Sequence, residues 1–294
     1  MSLHDADSIR DLLQRAELRL VASGVPNARR NAEWMLCHAL GLRMLDLYVQ
    51  STVAPDPNRA TVYREMVARR AAREPLQYIL GATEFMSLPF EVHPGVFVPR
   101  PDTEVLVERA EELLRSHPLH EALEVLDLCS GSGVIGVSLA ARIPNLAVVA
   151  VDVSGDAVAV TARNATLNEV SDRVEAVHAD AVAYLRDSGR RFTAVVCNPP
   201  YIESGELAAL PREVRDHEPM LALDGGRDGM DFYRRAVPEL AGRVMPGGFV
   251  VFEIGDTQGA AVSTLLRDSG FARVEVVKDY AGRDRVVLGV LGPC

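Results

Sequence analysis

Apolar residues recur at helical spacing through the first 75 positions. The segment "DLLQRAELRLVASG" closes at Gly24 and "NARRNAEWMLCHALG" closes at Gly41. A third segment, "DPNRATVYREMVARRAARE", is stopped before Pro75. No alternating pattern interrupts them, so residues 1–75 predict a small helical domain. From Leu76 the pattern changes. "EFMSLPFEVHPGVFVPRP" alternates and carries Pro89, Pro94, Gly95, Pro99 and Pro101, which predicts a β-hairpin linker over 76–101 that ends in an extended turn. "DTEVLVERAEELLRS" then starts a helix with Asp102 or Thr103 near its N-cap.

Residues 102–294 alternate between short apolar runs and amphipathic stretches. "EVLDLC", "LAVVAVDV", "RVEAVHAD" and "FTAVVCN" are separated by "VIGVSLAARI", "DAVAVTARNATLN" and "AVAYLRDS". That rhythm predicts an α/β doubly wound parallel sheet. "GGFVVFEIG" adds a fifth strand. "ARVEVVKDYAGRDRVVLGVL" holds two strand-like runs joined by "AGRD" with no helix between them, hence an antiparallel hairpin. A Rossmann-like sheet that closes in such a hairpin is the arrangement of class I methyltransferases.

Composition narrows the function classes. The chain has 294 residues, 48% hydrophobic and 24% charged, enough for a sizeable core. No apolar run reaches the roughly 18 residues of a membrane span, and the polar start "MSLHDADSIRDLL" is unlike a secretory signal. Net charge is −10, and residues 1–90 are nearly neutral, so essentially all of the excess falls on the second part. An acidic catalytic part repels a phosphate backbone, so no direct nucleic-acid substrate is expected. Cys37, Cys129, Cys197 and Cys294 show no metal-site spacing, and free thiols in a reducing cytoplasm are expected.

In "EVLDLCSGSGVIGVSLA" a strand, a glycine-rich turn and a helix follow one another, and Gly131, Gly133 and Gly136 satisfy G-x-G-x-x-G. Glycine lets the backbone turn tightly and approach a ligand, and the helix N-terminus offers N–H groups. Asp152 ends the next strand, where a carboxylate accepts ribose hydroxyls. The pattern alone fits both NAD and S-adenosylmethionine (AdoMet). Three features favour AdoMet. Asp127 precedes the loop, where it opposes a pyrophosphate but suits a sulfonium or its amino group. Asp180 ends the third strand, placed to accept adenine amino hydrogens. The fourth strand ends in Asn198-Pro199-Pro200-Tyr201 rather than in a residue suited to a nicotinamide.

Asn198 precedes a proline, which biases its backbone to extended conformations. Pro199 and Pro200 fix two successive φ angles and remove two donors. The rigid turn presents two acceptors, the Asn198 side-chain oxygen and the Pro199 carbonyl, which suit a planar NH2 group. Tyr201 adds a flat ring beside it. A conjugated NH2 is a poor nucleophile. Holding both of its hydrogens raises electron density on nitrogen and aims it at the S–CH3 bond. These residue types alone leave glutamine, adenine and guanine open.

The chain resembles the HemK/PrmC protein-(glutamine-N5) methyltransferases over nearly its whole length. The resemblance rests on "FVPRPDTEVLVE", "DLCSGSGVIGVSLA", "AVDVSGDAVAVTARNA", "VVCNPPYI", "EPMLALDGGRDGMDFYRR" and "GGFVVFEIGDTQG". NPPY is shared with adenine methyltransferases, whereas R-P-D-T-E behind a helical domain is far more specific. The resemblance implies methylation of the glutamine in the Gly-Gly-Gln tripeptide of peptide-chain release factors, which would be the protein partners. It implies that Cys129, Ser130, Gly131, Ser132 and Gly133 form the AdoMet loop and that Asp152 meets the ribose. Asn198 to Tyr201 would clamp the glutamine, with Asn198 also at the cofactor and Phe97 stacking on the substrate. The family loop often reads G-T-G-[ST]-G, and Cys129 stands at its first position here; a small side chain should preserve the geometry. Many members carry a bulky residue where Ala181 stands, so the packing on adenine differs at that point. The 1–75 domain is expected to recognise the substrate. Three rivals are an exocyclic-amine methyltransferase of nucleic acid, a ribosomal-protein glutamine methyltransferase, and a non-catalytic AdoMet- or NAD-binding protein.

Overall fold

The computed structural model describes residues 7–118 and 123–292; Cys294 and the first six residues lie outside them. The chain divides into two compact units. One comprises the residues up to Gly81 together with Pro211–His217, and the other comprises Ala82–Leu210 with the residues from Glu218 onward.

The first unit is helical: α1 (Ile9–Ala22), α2 (Ala28–Leu40), α3 (Met44–Val49), α4 (Pro57–Ala71) and α5 (Leu76–Leu80). Ser8 caps α1 by accepting from Asp11 N, and the Asp11 carboxylate returns the bond to Ser8 N. Asp56 caps α4 by accepting from Asn58 N and Arg59 N, with Pro57 at the first helical position. Leu12, Leu20, Met35, Leu36, Leu47 and Tyr63 meet in one core. The short helices α3 and α5 depart from the sequence expectation. Neither is long enough to display a 3.6-residue period, and α5 occupies the start of the stretch expected to be hairpin. Pro75 opens α5, and Gly81, at φ +70°, ends it.

In the second unit the hairpin is β1 (Ala82–Phe85) and β2 (Leu88–Glu91), followed by α6 (Glu104–Arg115). Then come β3 (Leu123–Leu128), α7 (Val134–Arg142), β4 (Leu146–Asp152), α8 (Gly155–Leu167), β5 (Val174–His178), α9 (Ala181–Asp187) and β6 (Phe192–Cys197). A short helix, α10 (Arg212–Arg215), belongs to the first unit, where Glu213 is clasped by Arg70 at 2.8 Å and Arg73 at 2.6 Å. The chain continues with α11 (Asp231–Leu240), β7 (Val244–Glu253), α12 (Gly259–Asp268), β8 (Phe271–Lys278) and β9 (Asp284–Leu291).

The seven strands run in the order β5-β4-β3-β6-β7-β9-β8. Pairings are parallel from β5 to β7 and antiparallel where β9 joins β7 and β8. The mixed sheet with its terminal hairpin is the one expected. Strand side chains alternate between two cores. Leu126 and Leu128 join α9, α11 and α12 on one face, while Leu123 and Val125 join α6, α7 and α8 on the other. Chain order reverses between β3 and β6, which opens a crevice beyond their carboxyl ends. Among the described residues no helix is long and apolar enough to cross a membrane.

Candidate active site

The loop after β3 is built on backbone angles that side chains rarely adopt. Cys129, Gly131 and Gly133 have φ of +55°, +56° and +79°. A left-handed residue other than glycine costs roughly 1 kcal/mol, and Cys129 adopts that conformation at the head of the turn. Gly133 is constrained from outside as well, since a Cβ there would stand 2.8 Å from Thr161 Cγ2. Side chains tie the loop down. Thr161 Oγ1 donates to the Gly131 carbonyl at 3.1 Å, and Asn164 Nδ2 donates to the Ser132 carbonyl at 2.8 Å. Asp152, at the end of β4, accepts from Gly131 N at 2.8 Å and from Ser154 N at 2.9 Å.

A cavity of about 260 Å³ opens over this loop. Cys129, Ser130, Gly131 and Ser132 form one wall, with Asp152, Asp180 and Ala181 beyond them. Asn198, Pro199, Pro200 and Tyr201 line the same cavity, and Phe97 and Thr103 face it from the segment ahead of α6. The lining fits AdoMet. Ser130 Oγ is buried on the wall without a hydrogen-bond partner among the described residues, the Asp152 carboxylate is an acceptor there, and Val153 and Ala181 offer apolar surface. Asp180 serves locally as the N-cap of α9, accepting from Ala183 N at 2.9 Å, and Arg235 lies 3.6 Å from its other oxygen.

Two expected contacts lie elsewhere. Gly133 shapes the turn and does not line the cavity. Asp127 lies behind the loop, on the core face of β3 that α7 covers, with its side chain fully buried. Its Oδ2 accepts from Gly136 N at 2.9 Å, and its Oδ1 has no partner among the described residues. Burial pushes its carboxyl up to about 7; the Gly136 N–H opposes the rise and the Asp152 charge adds to it. Gly136 must be glycine here, because a Cβ would meet Val148 Cγ1 at 2.8 Å and Asp127 Oδ2 at 2.9 Å.

The Asn198–Tyr201 turn is held from below. Asn198 Nδ2 donates to Thr103 Oγ1 at 3.3 Å, and Thr103 Oγ1 donates to Glu253 Oε2 at 2.6 Å. Tyr201 Oη donates to Glu253 Oε1 at 3.1 Å. Burial pushes the Tyr201 phenol well above the usual tyrosine range, with the Glu253 charge adding to the shift. Thr103, expected near the N-cap of α6, occupies that position but its side chain makes no capping bond. Gly225 packs on the Tyr201 backbone so closely that a Cβ would stand 2.7 Å from Tyr201 Cα, while Gly225 N donates to the Ile202 carbonyl at 2.8 Å. The L-D-G-G segment is therefore a brace for the turn.

Phe97 is held just as firmly. The Arg100 guanidinium lies 4.8 Å over its ring, and Arg100 Nη2 donates to Glu218 Oε1 at 2.5 Å. Glu218 Oε2 accepts from Val98 N at 3.2 Å. Sequence alone gives Glu253, Arg100 and Glu218 no role of their own, and gives Thr103 only that of a helix cap. The available signals were a carboxylate, Glu253, ending the otherwise apolar run "GGFVVFE", and the membership of Arg100 and Thr103 in R-P-D-T-E and of Glu218 in "EPMLALDGG".

Residues 11–81 match the PrmC N-terminal domain and residues 87–225 match the methyltransferase small domain. The chain is 44% identical to the release factor glutamine methyltransferase of Geobacter sulfurreducens, covering 97% of each chain. It is also 44% identical to that of Moorella thermoacetica, covering 96% of this chain and 98% of the relative. Among solved structures, a methyltransferase from Pyrococcus furiosus superposes with a TM-score of 0.50 at 18% identity, covering 81% of this chain and all of that one. A T. thermophilus 16S rRNA N2 G1207 methyltransferase gives a TM-score of 0.52 at 22% identity over 71% of this chain and 49% of that one. These two likenesses bear on the fold, which is that of class I methyltransferases.

Proposed function

The chain belongs to the release factor glutamine methyltransferase family, and we propose that it transfers a methyl group from AdoMet to the side-chain amide nitrogen (N5) of the glutamine in the Gly-Gly-Gln motif of peptide-chain release factors. One observation carries this: the glycine loop with Asp152 and the Asn198–Tyr201 turn line a single cavity. When bound, AdoMet supplies an electrophilic methyl group on a positively charged sulfur.

The chain's own residues would do the rest. Cys129 to Ser132 and Asp152 bind the cofactor. Asn198 Oδ1 and the Pro199 carbonyl accept the two hydrogens of the substrate NH2, and Phe97 and Tyr201 wall in its plane. Fixing both hydrogens orients the nitrogen and lets charge build on it as the new bond forms, a preorganisation worth roughly 10²–10³ in rate per contact. No strong base is needed, because the N–H acidifies on methylation. The helical unit would act as the recognition module for the protein substrate; Leu45, Tyr48 and Val49 on α3 are exposed apolar residues of the kind such a surface uses. The acidic charge balance supports a protein substrate over a nucleic acid.

The test is single-turnover transfer of labelled methyl to a release factor containing Gly-Gly-Gln, beside a Gly-Gly-Ala control, a ribosomal protein and tRNA. Label confined to the Gly-Gly-Gln protein supports the reading, whereas label on the control or on tRNA overturns it.

A further inference from the structure

The Asn198 amide has two ends, and only one of them suits an NH2 substrate. Its oxygen must face the cavity. An isolated asparagine has little reason to prefer that orientation, so something must set it.

Glu253, the last residue of β7, has a side chain buried to 1% exposure at a strand end otherwise composed of Phe249, Val250, Val251 and Phe252. An ionised carboxylate only accepts hydrogen bonds. Both of its bonds are therefore received, from Thr103 Oγ1 at 2.6 Å and Tyr201 Oη at 3.1 Å. Thr103 has one hydrogen, and Glu253 takes it. Toward Asn198 the Thr103 oxygen can then act only as an acceptor, so the Asn198 NH2 must turn to it, as it does at 3.3 Å. The amide oxygen is left facing the cavity, and among the described residues it receives no hydrogen bond. Burial pushes the Glu253 carboxyl above the usual carboxylate range, while the Thr103 hydroxyl, the charge of the mostly buried Arg285 and the Tyr201 hydroxyl oppose the rise and favour the ionised form.

We propose that Glu253 is a positioning residue that sets the polarity of the Asn198 amide through the Thr103 hydroxyl. The inference rests on the reading that Asn198 holds the substrate NH2. A carboxylate at the end of an apolar strand thereby orders a chain of three groups, and the same carboxylate locks the Tyr201 wall. Removing the acceptor frees the Thr103 hydrogen. The hydroxyl would then donate to Asn198 Oδ1 and turn the amide over, presenting two hydrogens to a substrate that also presents hydrogens.

Glu253→Met keeps the length of the side chain and removes the acceptor. Its kcat for methyl transfer should fall about 10²-fold, with the Kd for AdoMet within twofold of wild type. Glu253→Gln should be milder, because one of its two amide orientations still accepts from Thr103. Thr103→Val should fall as Glu253→Met does, Thr103→Ser should retain most of the activity, and the Glu253→Met/Thr103→Val double variant should be little worse than either single one. Independent, multiplying losses would overturn the relay, as would a wild-type kcat for Glu253→Met. A second measurement does not depend on the substrate. The Asn198 side-chain NH2 resonances, identified by their loss in Asn198→Asp, should shift in Glu253→Met and Thr103→Val but hardly in Thr103→Ser. Unmoved resonances sink the relay whichever substrate is labelled. If wild type labels a different substrate, the release-factor reading falls instead and the same variants are compared on that substrate.

Discussion

Asp152 Oδ2 accepts the backbone N–H of Gly131 at 2.8 Å, so the carboxylate that lines the cavity also fastens the glycine loop. Its other oxygen is held by Ser154 N. Asp152→Ala should weaken AdoMet binding about 10–100-fold, the size of one charge-assisted bond at ~1.5–3 kcal/mol. Asparagine should not rescue it. Both neighbours are N–H donors, so the new amide would aim its own NH2 at one of them. Titration calorimetry of the three proteins decides this, and unchanged affinity in Asp152→Ala would remove the residue from the site.

Asp127 makes a pH-dependent contribution. Its folded-state carboxyl sits near 7 against an ordinary 3.8, so the folded state binds the proton more tightly than the unfolded chain. The resulting stability is fully present below about 3.8 and is lost as pH rises through about 7. Asp127→Asn has no such titration. Comparing urea unfolding of the free proteins at pH 5 and pH 8, the wild type should lose about 2–3 kcal/mol more than the variant over that interval. Parallel pH profiles would contradict the assignment.

The placement of Asp127 illustrates what local pattern does and does not show. The loop Cys129–Gly133, Asp152 and the Asn198–Tyr201 turn were legible because each is contiguous and sits at a strand end, where topology gathers such residues. Phe97 came from the resemblance. Asp127 shares the strand end with them, but the strict alternation of side chains in β3 turns it into the core rather than into the cavity. The pairing of Thr103 with Glu253 was invisible for another reason: they lie 150 residues apart, and only the adjacency of β6 and β7 brings the second beneath Asn198. The helices α3 and α5 escaped because six and five residues cannot show a period.

Tyr201→Phe separates the ring from its hydroxyl. As a wall the ring is preserved, so kcat should change only a fewfold. Glu253 loses one of its two hydroxyl donors in a buried setting, which should cost roughly 1–3 kcal/mol of stability. Tyr201→Ala should lose both wall and donor, with activity falling much further. Denaturant melts beside single-turnover rates test the split. A severe kcat loss in Tyr201→Phe with no loss of stability would place the hydroxyl in the reaction instead.

Phe97→Ala should act on substrate binding. The ring already carries Arg100 on one face, and Arg100 is anchored on the buried Glu218, so the surrounding loop keeps its position without the ring. The apparent KM for the release factor should rise about tenfold, the loss of roughly 1.4 kcal/mol expected for one aromatic contact, while AdoMet affinity stays unchanged. A kcat defect without a KM change would show that Phe97 is not a wall for the glutamine.

Asn198 carries the sharpest test of the clamp. Asn198→Ala removes one fixed acceptor for the substrate NH2 and should reduce single-turnover methyl transfer 10²–10³-fold, about 2.7–4 kcal/mol, with little change in AdoMet affinity. Asn198→Asp keeps an acceptor oxygen toward the cavity but loses the NH2 that Thr103 accepts. Thr103 has already given its hydrogen to Glu253, so the new carboxylate finds no donor there and is set facing the lone pairs of the Thr103 hydroxyl. The aspartate variant should therefore fall between wild type and alanine. An aspartate variant below alanine would mean that the added charge, rather than the orientation of the NH2, dominates at this position. A wild-type rate for Asn198→Ala would remove the clamp altogether.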